Sequence, residues 1–256
     1  MNFERRKYEN KSRNKNNNCN IRSNLERSSS QTSINKNQEL TIQYDRRHCP
    51  YQLLCKEFIS SLSWPEIYFN NLYDRCYCFR CYSENKSDAY LIANSPYVIP
   101  RGWVRFGIHV DNVKAQVEDI WKKWHNTYHG TDIHSALSII KHGQFLLKGD
   151  TFENGDQLNC RCPYLYTSPT IKYSARNAYA KPNRFVTSNG EYFIAKIVLQ
   201  CKQKPGTYNI QGATGNARRE KKICNIISND KIEYYTDIRA SVIPYGVMVQ
   251  LTAVDT

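Results

Sequence analysis

The sequence predicts an α+β fold, built on a split, mostly antiparallel sheet with few helices. Three observations carry that reading. Short β-like runs recur through the C-terminal half, at "TYHGT", "YLYTS", "YFIAKIVLQCK", "TYNIQ", "IEYYT" and "YGVMVQLTAV". Only two segments there carry a clear helical pattern, "DIHSALSIIKHG" and "PTIKYSARNAYA". A hydrophobic content of 40% over 256 residues is enough to bury a real core. Many short strands with two helices suit an antiparallel α+β arrangement.

The chain opens on a basic stretch. From Met1 to about Asp45, Asn, Ser, Lys, Arg and Gln dominate, with scattered single aliphatics. Such a composition buries too little apolar surface to offset the entropy of ordering, so residues 1–45 are expected to be a disordered basic tail. Its functional alternative is an electrostatic tether to nucleic acid or membrane. The formal net charge of +13 points to phosphate-bearing partners, although a lysine-rich solvated surface accounts for it as well. No apolar run approaches the roughly 20 residues that span a bilayer, so no membrane span is expected. No apolar stretch follows the basic N-terminus as a secretory signal requires, so an intracellular setting, cytoplasmic or nuclear, is expected. There the ten cysteines would stay reduced.

Residues 46–97 change character, with aromatics and five cysteines in "CPYQLLCKEFISSLSWPEIYFNNLYDRCYCFRCYSEN". This is expected to be a small cysteine-containing module. Cys76, Cys78 and Cys81 form C-x-C-x2-C, and Cys49 and Cys55 can lie near them in the fold. Thiolates this close on a tight turn reach the tetrahedral positions around zinc, which makes Cys76, Cys78, Cys81 and Cys49 candidate zinc ligands. Only Cys78 to Cys81 has the C-x2-C spacing, and buried free thiols are the competing reading.

Residues 98–256 form the expected main domain. "YVIPRGWVRFGIHV" reads as a linker ending in a short strand, because Pro and Gly punctuate it before Val, Phe and Ile alternate. About Asp111 to Trp121 is expected to be one short helix with Val113, Val117 and Ile120 or Trp121 inward. The next helix has signals at both ends. Thr131 or Asp132 can cap it, Ile133, Leu137 and Ile140 make the buried stripe, and Gly143 can end it. Four of the chain's six histidines fall around this helix, at His125, His129, His134 and His142. A shared metal is disfavoured: His125 and His129 lie on an extended stretch, too far apart, and His134 and His142 are eight residues apart on the helix. His129 stands out because Gly130 lets a ligand approach closely and a histidine at such a turn can point into a cleft.

With these residues in place, the sequence resembles the ADP-ribosyltransferases of the poly(ADP-ribose) polymerase and diphtheria-toxin type. "TYHGT", a helix ending "IIKHG", "YLYTSPTIKYSARNAYA" and "IEYYTDIRASVIPYGVMVQL" follow that family's order, over about Trp124 to Val254. More loosely, the arrangement from "DRCYCFRCY" to "WHNTYHGT" is similar to the carboxy-terminal region of neuralized-like proteins. The first resemblance implies an ADP-ribosyltransferase-like sheet, NAD as substrate, and a His-Tyr-Glu set. It implies that His129 bonds the adenosine ribose and that the Gly130 backbone anchors the nicotinamide amide. Thr131 and Ser168 complete the contacts, and Tyr166 is the first stacking tyrosine. The family's second tyrosine falls at Asn177, which cannot stack on a pyridinium. Tyr173, one helical turn earlier on the same face, is the better candidate, with Tyr179 behind it.

Glu233 is implied as the catalytic carboxylate, beside the ribose where an oxocarbenium-like charge develops. The implied reaction is transfer of ADP-ribose to a protein or nucleic-acid acceptor, one unit at a time. Two alternatives stay open: a pseudoenzyme that binds NAD, ADP-ribose or a partner, and an NAD-dependent RNA 2′-phosphotransferase. The arginine-directed branch of transferases fits less well, because Lys231 occupies the first position of its E-x-E. "QGATGNARREKK" is either a phosphate-covering loop or an ordinary flexible one.

Overall fold

A computed structural model describes residues 49–159 and 163–254. The expected basic tail of residues 1–45, and any tethering by it, lies outside the described residues. The described residues belong to one compact unit.

The elements run α1 (Pro50–Ser61), β1 (Arg75–Cys76), β2 (Ala89–Ile92), β3 (Ser95–Val98), β4 (Val104–Gly107), α2 (Asn112–Val117), α3 (Ile120–Lys123), β5 (His125–Gly130) and α4 (Ile133–His142). There follow β6 (Leu165–Thr167), α5 (Ile171–Ser174), β7 (Asn183–Val186), β8 (Tyr192–Gln203), β9 (Asn209–Gln211), β10 (Glu233–Thr236) and β11 (Val242–Ala253). The fold is α+β with few helices, and every strand pairing described is antiparallel. One sheet has the order β1-β4-β11-β8-β5, with β7 also on β8. A second has the order β6-β10-β9, and β2-β3 is a separate hairpin.

The long strands β8 and β11 form the spine, and alternation along them builds two cores. Ala195, Ile197, Leu199 and Cys201 join Val247, Val249 and Leu251 on the face covered by α1 and α4. Val198 and Met248 point the other way, into a cluster with Tyr77, Tyr97, Trp103 and Tyr128. Gln200 ties that second face together, donating to the hydroxyls of Tyr97 (3.0 Å) and Tyr128 (3.4 Å). Both faces of the spine are therefore dry, which is why these strands read as near-continuous apolar runs.

α4 matches its sequence signals: Asp132 accepts from the Ser135 amide (2.9 Å), Ala136 and Ile140 are buried, and Gly143 ends it at φ 64°. Other segments differ from expectation. The stretch from Asp111 is two helices, broken where Asp119 adopts φ 47°; Ile120 is buried as expected, but Ala115 is the other inward residue and Val113 and Val117 face solvent. The segment after Pro169 is helical only from Ile171 to Ser174. The helix α1 has a signal that pattern reading passes over: Pro50 in the first turn and buried Cys55, Phe58 and Ile59 at helical spacing. The cysteine-bearing segment joins the main core through α1 and through β1, the edge strand that pairs with β4.

Candidate functional site

β5 lies at the edge of the large sheet, and its outer side meets the start of the smaller one. Tyr128 and Ser168 exchange backbone hydrogen bonds at 2.8 and 2.9 Å, which brings β6 alongside β5. β10, in the middle of the smaller sheet, places Glu233 opposite Gln211 of β9 and Tyr235 opposite Tyr166 of β6. Between the two sheets opens a cavity of about 420 Å3, within the range of small-molecule sites.

Its walls come from segments distant in the sequence. His129 and Gly130 line it from β5, Tyr164 and Tyr166 from the β6 segment, and Tyr173, Ser174 and Tyr179 from α5 and the turn that follows. Gln211, Thr214 and Glu233 close the other side. Gly130 is required by close approach. A Cβ there would stand 2.0 Å from the Ser174 carbonyl oxygen and 2.7 Å from Tyr179 Cβ.

Glu233 is 3% exposed and its carboxylate is fully engaged. Oε1 accepts from the Tyr173 hydroxyl (3.0 Å) and from Thr214 Oγ1 (3.4 Å), and Oε2 accepts from Gln211 Nε2 (2.6 Å). All three donors are neutral, so the carboxylate is oriented by hydrogen bonds rather than by an ion pair. The Tyr173 hydroxyl in turn accepts from the Thr214 amide (3.0 Å) and lies 3.0 Å from the Tyr179 hydroxyl. Burial, first of all, raises the Tyr173 phenol above the ordinary tyrosine range, so it stays a donor at neutral pH.

His129 Nδ1 lies 2.8 Å from the Tyr166 carbonyl oxygen, which can only accept, so Nδ1 carries the hydrogen. Burial lowers the pKa of the ring below its ordinary value, and in the neutral form Nε2 is left as an acceptor. Phe145 packs edge-on against the ring at 4.9 Å.

The structure thus brings His129, Gly130, Tyr166, Tyr173, Tyr179 and Glu233 around one cavity. Two other candidates stand beside it rather than on its wall. Thr131 is buried with its hydroxyl on the Asp132 carbonyl (3.4 Å), and Ser168 accepts from the Thr170 amide (3.2 Å). Asn177 is exposed. Tyr179 takes a different place from the one an ideal helix would give it. Because α5 stops at Ser174, the chain turns through Arg176 and returns Tyr179 to within 5.3 Å of the Tyr173 ring.

His125 turns away, to the Tyr208 hydroxyl (2.7 Å) and the Ala93 carbonyl (3.2 Å). His134 is exposed on α4, and His142 sits against Phe152. Sequence reasoning misses Gln211 and Thr214, and also Tyr164 and Ser174 on the wall. The "QGATGNARREKK" segment attracts attention for its glycines and basic side chains, yet it is the Gln and the Thr that reach the carboxylate, while Arg218 and Arg219 are exposed.

A second cluster lies elsewhere. The Sγ atoms of Cys49, Cys76, Cys78 and Cys81 all fall within 4.8 Å of one another and could hold a metal ion such as zinc. No helix among the described residues is long and apolar enough to cross a membrane. No family model matches the sequence.

Proposed function

We propose that the cavity between the two sheets binds NAD and transfers its ADP-ribose unit to a macromolecular acceptor, protein or nucleic acid. One observation carries the proposal: His129, Gly130, Tyr166, Tyr173, Tyr179 and Glu233, supplied by four separate segments, line a single cavity. In this reading neutral His129 accepts from a ribose hydroxyl, and the tyrosines offer faces to the nicotinamide ring. The bond between the nicotinamide nitrogen and ribose C1′ breaks with its electron pair leaving on nicotinamide. Glu233 stabilises the cationic ribose that results. The acceptor's lone pair then bonds C1′, and its proton is lost to Glu233 or water, giving ADP-ribosyl acceptor, nicotinamide and one proton. An intracellular setting, which keeps the thiols reduced, suits the same reading. The thiol cluster belongs to a different part of the chain and contributes no group to the cavity wall.

A second reading rests on the same carboxylate. Both Glu233 oxygens are already engaged by Tyr173, Thr214 and Gln211, so a ribose must displace or share one of these donors. A module that binds NAD without cleaving it fits that occupancy. Incubation of the full chain with NAD labelled in the adenylate phosphate distinguishes the two. Transfer of label to protein or added RNA, lost in Glu233→Ala, supports the transferase. Saturable binding without transfer or nicotinamide release supports the binding module.

A further inference from the structure

We propose that Cys49, Cys76, Cys78 and Cys81 form a closed zinc centre whose task is to fasten α1 to the edge of the large sheet. The centre stands independently of the NAD reading. Zinc bound by four thiolates at ~2.3 Å in a tetrahedron requires sulfurs about 3.8 Å apart. Cys49 Sγ lies 3.8 Å from Cys76 Sγ and 3.7 Å from Cys78 Sγ. A disulfide needs ~2.05 Å between sulfurs, so these thiols stand at the separation of co-ligands and not of bonded partners.

The local chain holds the ligands in place. Cys76 sits on β1, and the chain then folds into a tight turn in which Cys78 O accepts from the amides of Cys81 (3.1 Å) and Tyr82 (2.8 Å). That turn carries Cys78 and Cys81 back toward Cys76. The fourth ligand comes from far away in sequence, at the N-cap of α1. No side-chain oxygen or nitrogen caps this twelve-residue helix. A thiolate at Cys49 meets the positive end of the helix dipole and offsets the missing cap. The Cys78 amide also points at Cys76 Sγ (3.5 Å), the kind of N–H to sulfur contact that supports a bound thiolate.

The centre is structural rather than catalytic. Cys49, Cys76 and Cys78 are buried and only Cys81 is partly open, so all four positions around the metal are filled by the chain. It also sits on β1, at the opposite edge of the large sheet from β5, with β4, β11 and β8 in between. Four thiolates in this geometry suit zinc or an iron-sulfur cluster, and a single tetrahedral position favours zinc. Cys55 is the informative control. It is buried in the same core, one and a half turns into α1, yet is not one of the four.

The test is metal analysis of the full chain purified without chelator, together with cobalt substitution. The expected result is about one zinc per chain, and in the cobalt form thiolate-to-metal charge transfer with tetrahedral visible bands. Cys81→Ser should reduce zinc content at least about fivefold, Cys55→Ser should keep it, and chelation should lower the melting temperature by roughly 10 °C. Less than about half an equivalent of zinc in the wild type, or iron in its place, would overturn the proposal. So would loss of metal from a folded Cys55→Ser equal to that from Cys81→Ser. If the Cys81→Ser chain does not fold, the cobalt spectrum of the wild type decides alone.

Discussion

Replacing Gly130 with Ala tests the geometry of the cavity with a single methyl group. The new Cβ would lie 2.0 Å from the Ser174 carbonyl oxygen, against the ~3.4 Å of an ordinary contact, so β5 and α5 must separate by about 1.4 Å. Neither side yields easily. β5 is hydrogen-bonded along its length to β8, and Ser174 is fastened to β5 by its own hydroxyl on the Tyr128 carbonyl (2.8 Å). Overpacking against backbone on both sides should cost at least about 3 kcal/mol, the upper part of the range for an inserted methyl group. Gly143→Ala is the comparison. It has open space around it but a φ of 64°, so its cost is backbone strain alone, about 1 kcal/mol. Urea denaturation of the two variants gives both values, and NAD binding by calorimetry should be lost in Gly130→Ala and kept in Gly143→Ala. A Gly130→Ala chain within ~0.5 kcal/mol of wild type would refute the close approach of β5 and α5.

The other predictions rest on buried polar groups. Tyr173→Phe keeps the ring but removes the hydroxyl that donates to Glu233 and accepts from Thr214, so the half-buried Thr214 amide loses its partner and Glu233 keeps only Thr214 and Gln211 as donors. It should cost ~1–3 kcal/mol of stability and lower kcat for NAD turnover about tenfold, with a smaller change in KM, by denaturation and steady-state kinetics. Lys202 is buried, with its ammonium on the carbonyls of Trp121 (3.3 Å) and Trp124 (3.2 Å), and burial, helped by the Arg105 charge, lowers its pKa to about 8. Below pH 8 both folded and unfolded chains hold the proton and the penalty is fully present. As pH rises toward the ordinary lysine value only the unfolded chain keeps it, so stability should rise by about 2 kcal/mol between pH 8 and 10. Lys202→Met should flatten that slope in urea titrations across the same window.

What the sequence made legible follows from how local each signal is. The six C-terminal β-like runs and the helix α4 were readable because alternation and caps are written in adjacent residues. The strands β8 and β11 were equally plain because both of their faces are buried. The end of α5 was not readable. Nothing within "PTIKYSARNAYA" breaks the helical pattern, and the turn that brings Tyr179 back to Tyr173 is set by packing against Gly130, a contact between distant segments. The same holds for Gln211 and Thr214, whose role depends on the pairing of β9 with β10. Among the cysteines, spacing picked out Cys76, Cys78 and Cys81, while the choice of Cys49 as the fourth rests on where α1 begins.

In the proposed reaction Glu233 stabilises charge on the ribose of a bound NAD. Its most direct test is the rate of nicotinamide formation from NAD by the wild type and by Glu233→Gln, with NAD affinity measured alongside. Glutamine keeps the shape of the side chain and removes its charge, so affinity should change little while nicotinamide formation falls at least about 100-fold. Equal rates in the two proteins, or no nicotinamide from a wild type that binds NAD, would contradict the account.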